Sequence, residues 1–249
     1  MNKLIWHQNF LSSGADLKQW NIRQGNDLVD DNGNFITTGW GNNEQQFYTD
    51  SANNLYIDDQ GLHLCAHREI VESGDRRFVY TSAKIDTKNH MSFCYGKLIV
   101  RAKLPTGAGI WPGIWMMPQD SVYGSWPASG EIDIMEAKGR LPDRVYGTLH
   151  HGTDMGPNKI TDEFHYAFEQ GGSIDAFHDY GLEWDENSMR WTVDGHCFAE
   201  RRLQPGVTPF DQRFFLILNL AVGGWFDDVP IDEHALPAVM TITGIWLYQ

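Results

Sequence analysis

Several stretches of this 249-residue chain change character every second residue, and that periodicity limits the fold more than any other feature of the sequence. Leu62, Leu64 and Ala66 alternate with His63, Cys65 and His67. Leu98, Val100, Ala102 and Leu104 alternate with Ile99, Arg101 and Lys103, and Met189, Trp191 and Val193 with Arg190, Thr192 and Asp194. Successive side chains of a strand leave on opposite faces, so the pattern predicts strands rather than helices. Asp194-Gly195 then predicts a hairpin turn leading into His196-Cys197-Phe198. The apolar run Phe214 to Val222 predicts a strand covered on both faces, and Gly or Pro punctuates almost every gap, as at Gly39, Gly41, Pro105, Gly107, Pro112 and Pro118. No helical stripe, linker, internal repeat or low-complexity segment interrupts the pattern. The expectation is an all-β fold in one catalytic-sized domain spanning 1–249, with a closed barrel and a two-layer sandwich both compatible.

Charge narrows the partners. A formal net charge of −14 opposes nucleic acid, whose phosphates require a basic surface, and makes a strongly anionic substrate a poor match unless a local basic patch overrides it. No apolar run reaches membrane-spanning length, and the first residues contain none of signal-peptide length, which leaves the cellular address open. Cys65, Cys94 and Cys197 are odd in number and form no CxxC pair, so one bridge plus a thiol and three reduced thiols both remain open. His63, Cys65 and His67, at alternate positions of one strand, supply only three metal-type ligands; polar residues on a solvated face are the simpler reading, and no metal is expected there.

The chemically informative segment is Trp126-Pro-Ala-Ser-Gly-Glu-Ile-Asp-Ile-Met-Glu-Ala-Lys-Gly139. In an ideal strand Glu131 and Asp133 share a face and Glu136 lies on the other. An acid buried charged and unpaired in a core costs several kcal/mol, about 2–7 even for a neutral polar group. A one-residue bulge near Ile134-Met135, putting Met135 out of phase, predicts all three carboxyls in one groove with Ile132 and Ile134 facing the core. Adjacent carboxylates cannot all ionise cheaply, so one remains protonated near neutrality. A protonated Glu beside an ionised one is what glycoside hydrolysis uses, and retention of configuration needs them roughly 5–5.5 Å apart. Glu131 is assigned as nucleophile and Glu136 as acid/base. Asp133 is expected to hydrogen-bond the nucleophile and to raise the pKa of Glu136 by repulsion. A solvated acidic edge strand is the alternative.

The flanks decide between them. Gly130-Glu-Ile-Asp-Ile-Met-Glu136 resembles the ExDxxE signature of glycoside hydrolase family 16, in its laminarinase-like branch. Gly39-Trp-Gly-Asn-Asn-Glu44, Tyr80-Thr-Ser-Ala-Lys-Ile85, Tyr95-Gly96, Arg101-Ala-Lys-Leu-Pro105, Gly109-Ile-Trp-Pro-Gly-Ile-Trp-Met-Met-Pro118, Thr148-Leu-His150, Phe177-His-Asp-Tyr-Gly-Leu-Glu-Trp184, Val193-Asp-Gly195 and Leu218-Asn-Leu-Ala-Val-Gly-Gly224 agree in the same order. The resemblance implies a concanavalin-like β-jelly roll of two curved antiparallel sheets with an open concave groove. It also implies a retaining endo-β-1,3-glucanase, with a polysaccharide partner and no nucleic acid or membrane. Secretion follows by family analogy, and a monomer is expected.

The same resemblance assigns Trp111, Trp115 and Trp126 to sugar subsites, against the alternative of core packing; Trp111 and Trp115, four apart in a Pro-containing segment, need not share a face. It places His150 beside the carboxyls and Asn43 and Glu44 at the non-reducing side of the groove, with Asn42 able to replace Asn43. It also leaves Trp225 either at a groove rim or as a loop anchor. Lys84 stands where relatives usually carry Arg, keeping the charge without the planar fork. Relatives often bind calcium through an N-terminal Glu and a C-terminal Asp, whose positions align with Asn9 and Thr243. The ordinary calcium site is therefore expected to be absent or weak, and no cofactor is expected. An agarase or other galactan hydrolase, a transglycosylase and a non-catalytic glucan-binding module are the competing functions.

Overall fold

A computed structural model describes residues 3–30, 33–169, 171–204 and 206–249. Among them two sheets pack face to face. The first runs, in spatial order, Lys159–Ala167, Arg144–Gly152, Glu131–Glu136, Ile110–Pro118, Phe214–Val222, Lys84–Asp86 and Asn21–Arg23. The second runs His196–Arg202, Ser188–Val193, His178–Trp184, Gly96–Lys103, Ala238–Tyr248, Gly61–Ser73, Arg76–Ser82 and Gln46–Tyr48. Both orders are open, which decides for the sandwich over the closed barrel, and the fold is a β-jelly roll. Pairing is antiparallel throughout these orders except where Gln46–Tyr48 runs parallel to Arg76–Ser82.

Inner faces of the two sheets make one core. Ile114, Met116, Ile132, Leu149, Leu216, Leu218 and Leu220 come from the first sheet; Leu62, Leu64, Leu98, Val100, Trp191 and Leu247 come from the second. Every residue of Phe214–Val222 is buried. Its even-numbered side chains join the core, while Phe215, Ile217, Asn219 and Ala221 lie under the neighbouring strands and loops on the outer face. The predicted hairpin is present: Val193 pairs with His196, and Asp194 and Gly195 take φ of 51° and 78°. A two-residue turn with both φ positive matches the right-handed twist of its strands.

The alternating Leu62–His67 segment departs from expectation on one face. His63 and Cys65 are buried rather than solvated. His63 Nε2 lies 2.8 Å from Asp58 Oδ1 beneath the Tyr56 ring, and His67 Nε2 lies 2.9 Å from the Asn53 carbonyl. Leu55–Asp58 pairs alongside this segment and brings Tyr56 and Asp58 to His63. Cys65, Cys94 and Cys197 are all free thiols.

Candidate active site

Three carboxyls meet on the outer face of the first sheet because the strand that carries them is bulged. Asp133 pairs with Trp115 on one neighbour and Thr148 on the other, whereas Glu136 pairs with Gly113 and Tyr146. Ile134 and Met135 together therefore face the single residue Gly147. Relative to Ile110–Pro118 the extra residue is Ile134, since Met135 pairs with Ile114. Ile132 and Ile134 lie in the core as expected from sequence, and Met135, in register with Ile114, joins them there. The bulge shifts the pleat by one residue, and Glu136 returns to the face of Glu131 and Asp133.

Burial raises the pKa of both glutamates, and their charged neighbours differ. Burial raises the pKa of Glu131, but the Trp126 indole donates to its Oε2 at 2.5 Å, and Lys159, a hydrogen bond with Asp133 and Lys84 all favour its ionised form. Burial and the negative charge of Glu131 push Glu136 up to about 8, with Glu163 adding repulsion; the Trp111 indole, donating to Oε1 at 3.0 Å, and Lys138 only partly offset them. Asp133 is raised well above the usual carboxylate range by burial and by both glutamates. It is therefore a neutral acid that donates to Glu131. The repulsion on Glu136 comes chiefly from Glu131, with Glu163 adding to it, and the repulsion between Glu136 and Asp133 is expressed in the raised Asp133. His150 Nε2 is 3.5 Å from Asp133 Oδ2, and Nδ1 is 3.0 Å from Thr161 Oγ1. Burial, then Lys159 and His151, lowers His150 to about 4, so the imidazole beside the triad is neutral.

The groove walls follow from neighbouring strands. Trp111 and Trp115 share the outer face of one continuous strand despite Pro112, with Gly113 between them. A Cβ at Gly113 would lie 2.6 Å from Asn219 Oδ1, so the glycine admits the Asn219 side chain that accepts from Trp115 Nε1 at 2.8 Å. Asn219 in turn donates to the Tyr48 hydroxyl at 3.0 Å, and that hydroxyl donates to Glu44 Oε2 at 3.0 Å. Glu44 is buried, and it also accepts from Gln46 and Asn42. Its carboxylate braces the groove loop rather than standing open in it. Asn43 is exposed beside it with φ of 58°.

Lys84 is buried with its ammonium 4.0 Å from the Trp40 ring centre and 4.8 Å from that of Trp115. Burial lowers it to about 8 against the pull of Glu44, Asp86 and Glu131. Held between two ring faces, it fixes both indoles. A cleft of about 940 Å³ adjoins this pair, lined by Arg23, Trp40, Lys84, Asp86, Trp115 and Phe215 among others. Trp225 is 66% exposed, anchored through its backbone N–H to the Asn42 carbonyl at 2.8 Å.

Sequence reasoning missed two groups. Lys159, from the outermost strand, stands 4.6 Å over the Trp126 ring and acts on both Glu131 and Asp133. Phe226 stacks on Trp111 at 5.1 Å and meets Tyr146 edge-on at 5.4 Å, with Lys138 4.5 Å from its ring centre. Lys159 is adjacent to the acids only through strand pairing, but Phe226 follows Trp225 directly, and an aromatic pair after Gly223-Gly224 was a readable signal.

Asn9 and Thr243, at the aligned calcium positions, do not form an anionic pair, and Asn9 Oδ1 already accepts from the Leu11 N–H at 3.0 Å. Among the described residues no group of three or more His, Cys, Asp or Glu is gathered for an ion.

Residues 36–232 match the glycosyl hydrolases family 16. The chain is 40% identical over 260 residues to the glucan endo-1,3-beta-glucosidase A1 of Niallia circulans, covering 99% of this chain but 38% of that protein's length. It is 40% identical over 243 residues to a glucan endo-1,3-beta-glucosidase of Cryptopygus antarcticus, covering 92% of this chain and 84% of the relative. The laminarinase catalytic domain from Thermotoga maritima MSB8 superposes with a TM-score of 0.87 at 36% identity, covering 100% of this chain and 98% of that one.

Proposed function

Because the chain belongs to the glycosyl hydrolases of family 16, we propose that it cleaves internal β-1,3 links of a laminarin-type glucan with retention of configuration. The observation that carries this reading is two glutamates brought to one face by a bulge, Glu136 held up by burial and the Glu131 charge, and Glu131 met by the Trp126 indole and Lys159 against its burial. Glu136, protonated at neutral pH, delivers its proton to the glycosidic oxygen as the C1–O bond breaks. Glu131, its charge favoured by the Trp126 indole and Lys159, attacks C1 from the opposite side and forms a glycosyl ester. The ionised Glu136 then removes a proton from water, which attacks C1 and frees Glu131. Two inversions return the β-anomer. Asp133, as a neutral donor, steadies Glu131 when it is charged and releases that bond as the ester forms.

Trp111, Trp115, Trp126, Lys84, Asn43 and Trp225 line or rim the proposed path of the glucan, and indole faces suit the apolar faces of a pyranose. Incubation with laminarin, curdlan, lichenan, agarose and κ-carrageenan tests the substrate by reducing ends released. Laminarin and curdlan are expected to be cleaved to short oligosaccharides. Cleavage of agarose without laminarin would overturn the assignment.

Lys159 gives this mechanism a pH signature. Its charge lowers the pKa of Glu131, so Lys159→Met raises that pKa and moves the acidic limb of kcat/KM to higher pH, by about one unit. The basic limb is expected to stay in place. An acidic limb that does not move would remove Lys159 from the nucleophile's electrostatics.

A further inference from the structure

We infer that Trp191 is a positioning residue that locks the bulge of the catalytic strand from the opposite sheet. The inference rests on the carboxyl roles proposed above. Trp191 is fully buried and belongs to Ser188–Val193 of the second sheet, yet its Nε1–H crosses the core and donates to the backbone carbonyl of Asp133 at 2.8 Å. Asp133 is the last residue in regular register before the bulge. A bulge disrupts the strand ladder locally, and a buried carbonyl there needs a donor from elsewhere.

Gly147 makes room for that donor. It is the single residue facing Ile134 and Met135, and a Cβ on it would lie 2.4 Å from Trp191 Cδ1 and 2.8 Å from Nε1. No other residue type fits over the indole without displacing it. Phe164, the cross-strand partner of Gly147, packs against the Trp191 ring at 5.3 Å. The indole is thus confined by Gly147 and Phe164 and aimed at the one carbonyl whose position sets where the pleat shifts. Moving that carbonyl rotates the peptide between Asp133 and Ile134, and with it the direction in which Glu136 leaves the strand relative to Glu131.

The test replaces only the donor. Trp191→Phe keeps an aromatic ring and removes the N–H; a second variant with β-(3-benzothienyl)alanine at 191 keeps the bicyclic shape and replaces N–H by sulfur. Both are expected to lower kcat on laminarin by roughly 10- to 100-fold with KM changed less than about twofold, the loss that follows from misplacing a reacting group by a fraction of an ångström. Both should also shift the basic limb of the pH profile, because the Glu131–Glu136 spacing changes. Phe164→Leu, which disturbs the packing and not the hydrogen bond, should lower the melting temperature and leave the pH profile in place. If Trp191→Phe does not fold, the benzothienyl variant decides. A donor-free variant with wild-type kcat and an unmoved basic limb overturns the proposal. Should the wild type cleave no glucan, the proposed function fails by itself. Trp191 is then judged by the carboxyl 13C titration of Glu136, which needs no substrate and must move in the donor-free variants for the inference to stand.

Discussion

Glu131→Ala is expected to lower laminarin turnover by roughly 10⁴- to 10⁶-fold while glucan oligosaccharides still bind within a few-fold of wild type. The size follows from the role. Glu131 is the carboxylate whose ionised form is favoured by an indole N–H, a hydrogen bond with Asp133 and two lysines, and no other group on that face substitutes for it. Asp133 is 3% exposed, and its burial, which raises its pKa with or without the Glu131 charge, makes it a poor replacement nucleophile. Binding is largely spared because Trp111 and Trp115 are held by Glu136 and Asn219 rather than by the nucleophile, and only Trp126 loses a hydrogen bond. The missing side chain leaves an anion-sized space under C1, bordered by Lys159 and the Trp126 N–H. Added azide should enter it and yield an α-glycosyl azide, the product of one inversion instead of two. The proton spectrum of the anomeric position distinguishes the two anomers. Retention of more than a tenth of wild-type activity, or a β-azide from this variant, would show that another group forms the ester.

Much of this site was legible because local rules conflicted in the sequence. Glu131, Asp133 and Glu136 cannot share a face in a regular strand, and burying Glu136 in a core with Ile132 and Ile134 is costly, so a bulge had to be invoked. Which residue becomes the extra one was not legible. It depends on Met135 pairing with Ile114 across a strand boundary, and both Ile134 and Met135 are apolar enough to be buried. Period-two alternation marked strands but not their neighbours, so His63 and Cys65 looked solvated although Leu55–Asp58 pairs beside them and Tyr56 stacks on His63. Glu44 was assigned to the groove by resemblance, and its bracing role was not legible because Tyr48 and Gln46, its own near neighbours, gave no sign that they turn back to hold it. Lys84 was placed in the groove by resemblance, yet its confinement between Trp40 and Trp115 depends on three separate strands and loops converging. Lys159 and Trp191 were unreadable for the same reason: each reaches the carboxyls by a contact made between strands, and neither has a spacing to announce it.

Glu136→Gln separates the two half-reactions. Laminarin has an alkoxide leaving group that must be protonated, so kcat on it is expected to fall about 10³-fold, within the range that general acid catalysis supplies. A dinitrophenyl β-glycoside of a laminari-oligosaccharide leaves without a proton. Its first step should therefore remain close to wild type, giving a burst of phenolate followed by slow release of sugar as the glycosyl ester accumulates. Azide needs no general base and should accelerate that second step, giving the β-azide with overall retention, opposite to the anomer from Glu131→Ala. The pH profile carries the same assignment. Burial and the Glu131 charge hold Glu136 at about 8, so its proton-donating form is lost as pH rises through that value and the wild-type profile falls there. Glutamine does not titrate, and the basic limb near pH 8 should vanish, with the acidic limb set by Glu131 left behind. A variant that keeps that basic limb, or shows no burst with the activated glycoside, would mean that the proton comes from elsewhere. The bulge would then have brought Glu136 to the groove for some other purpose.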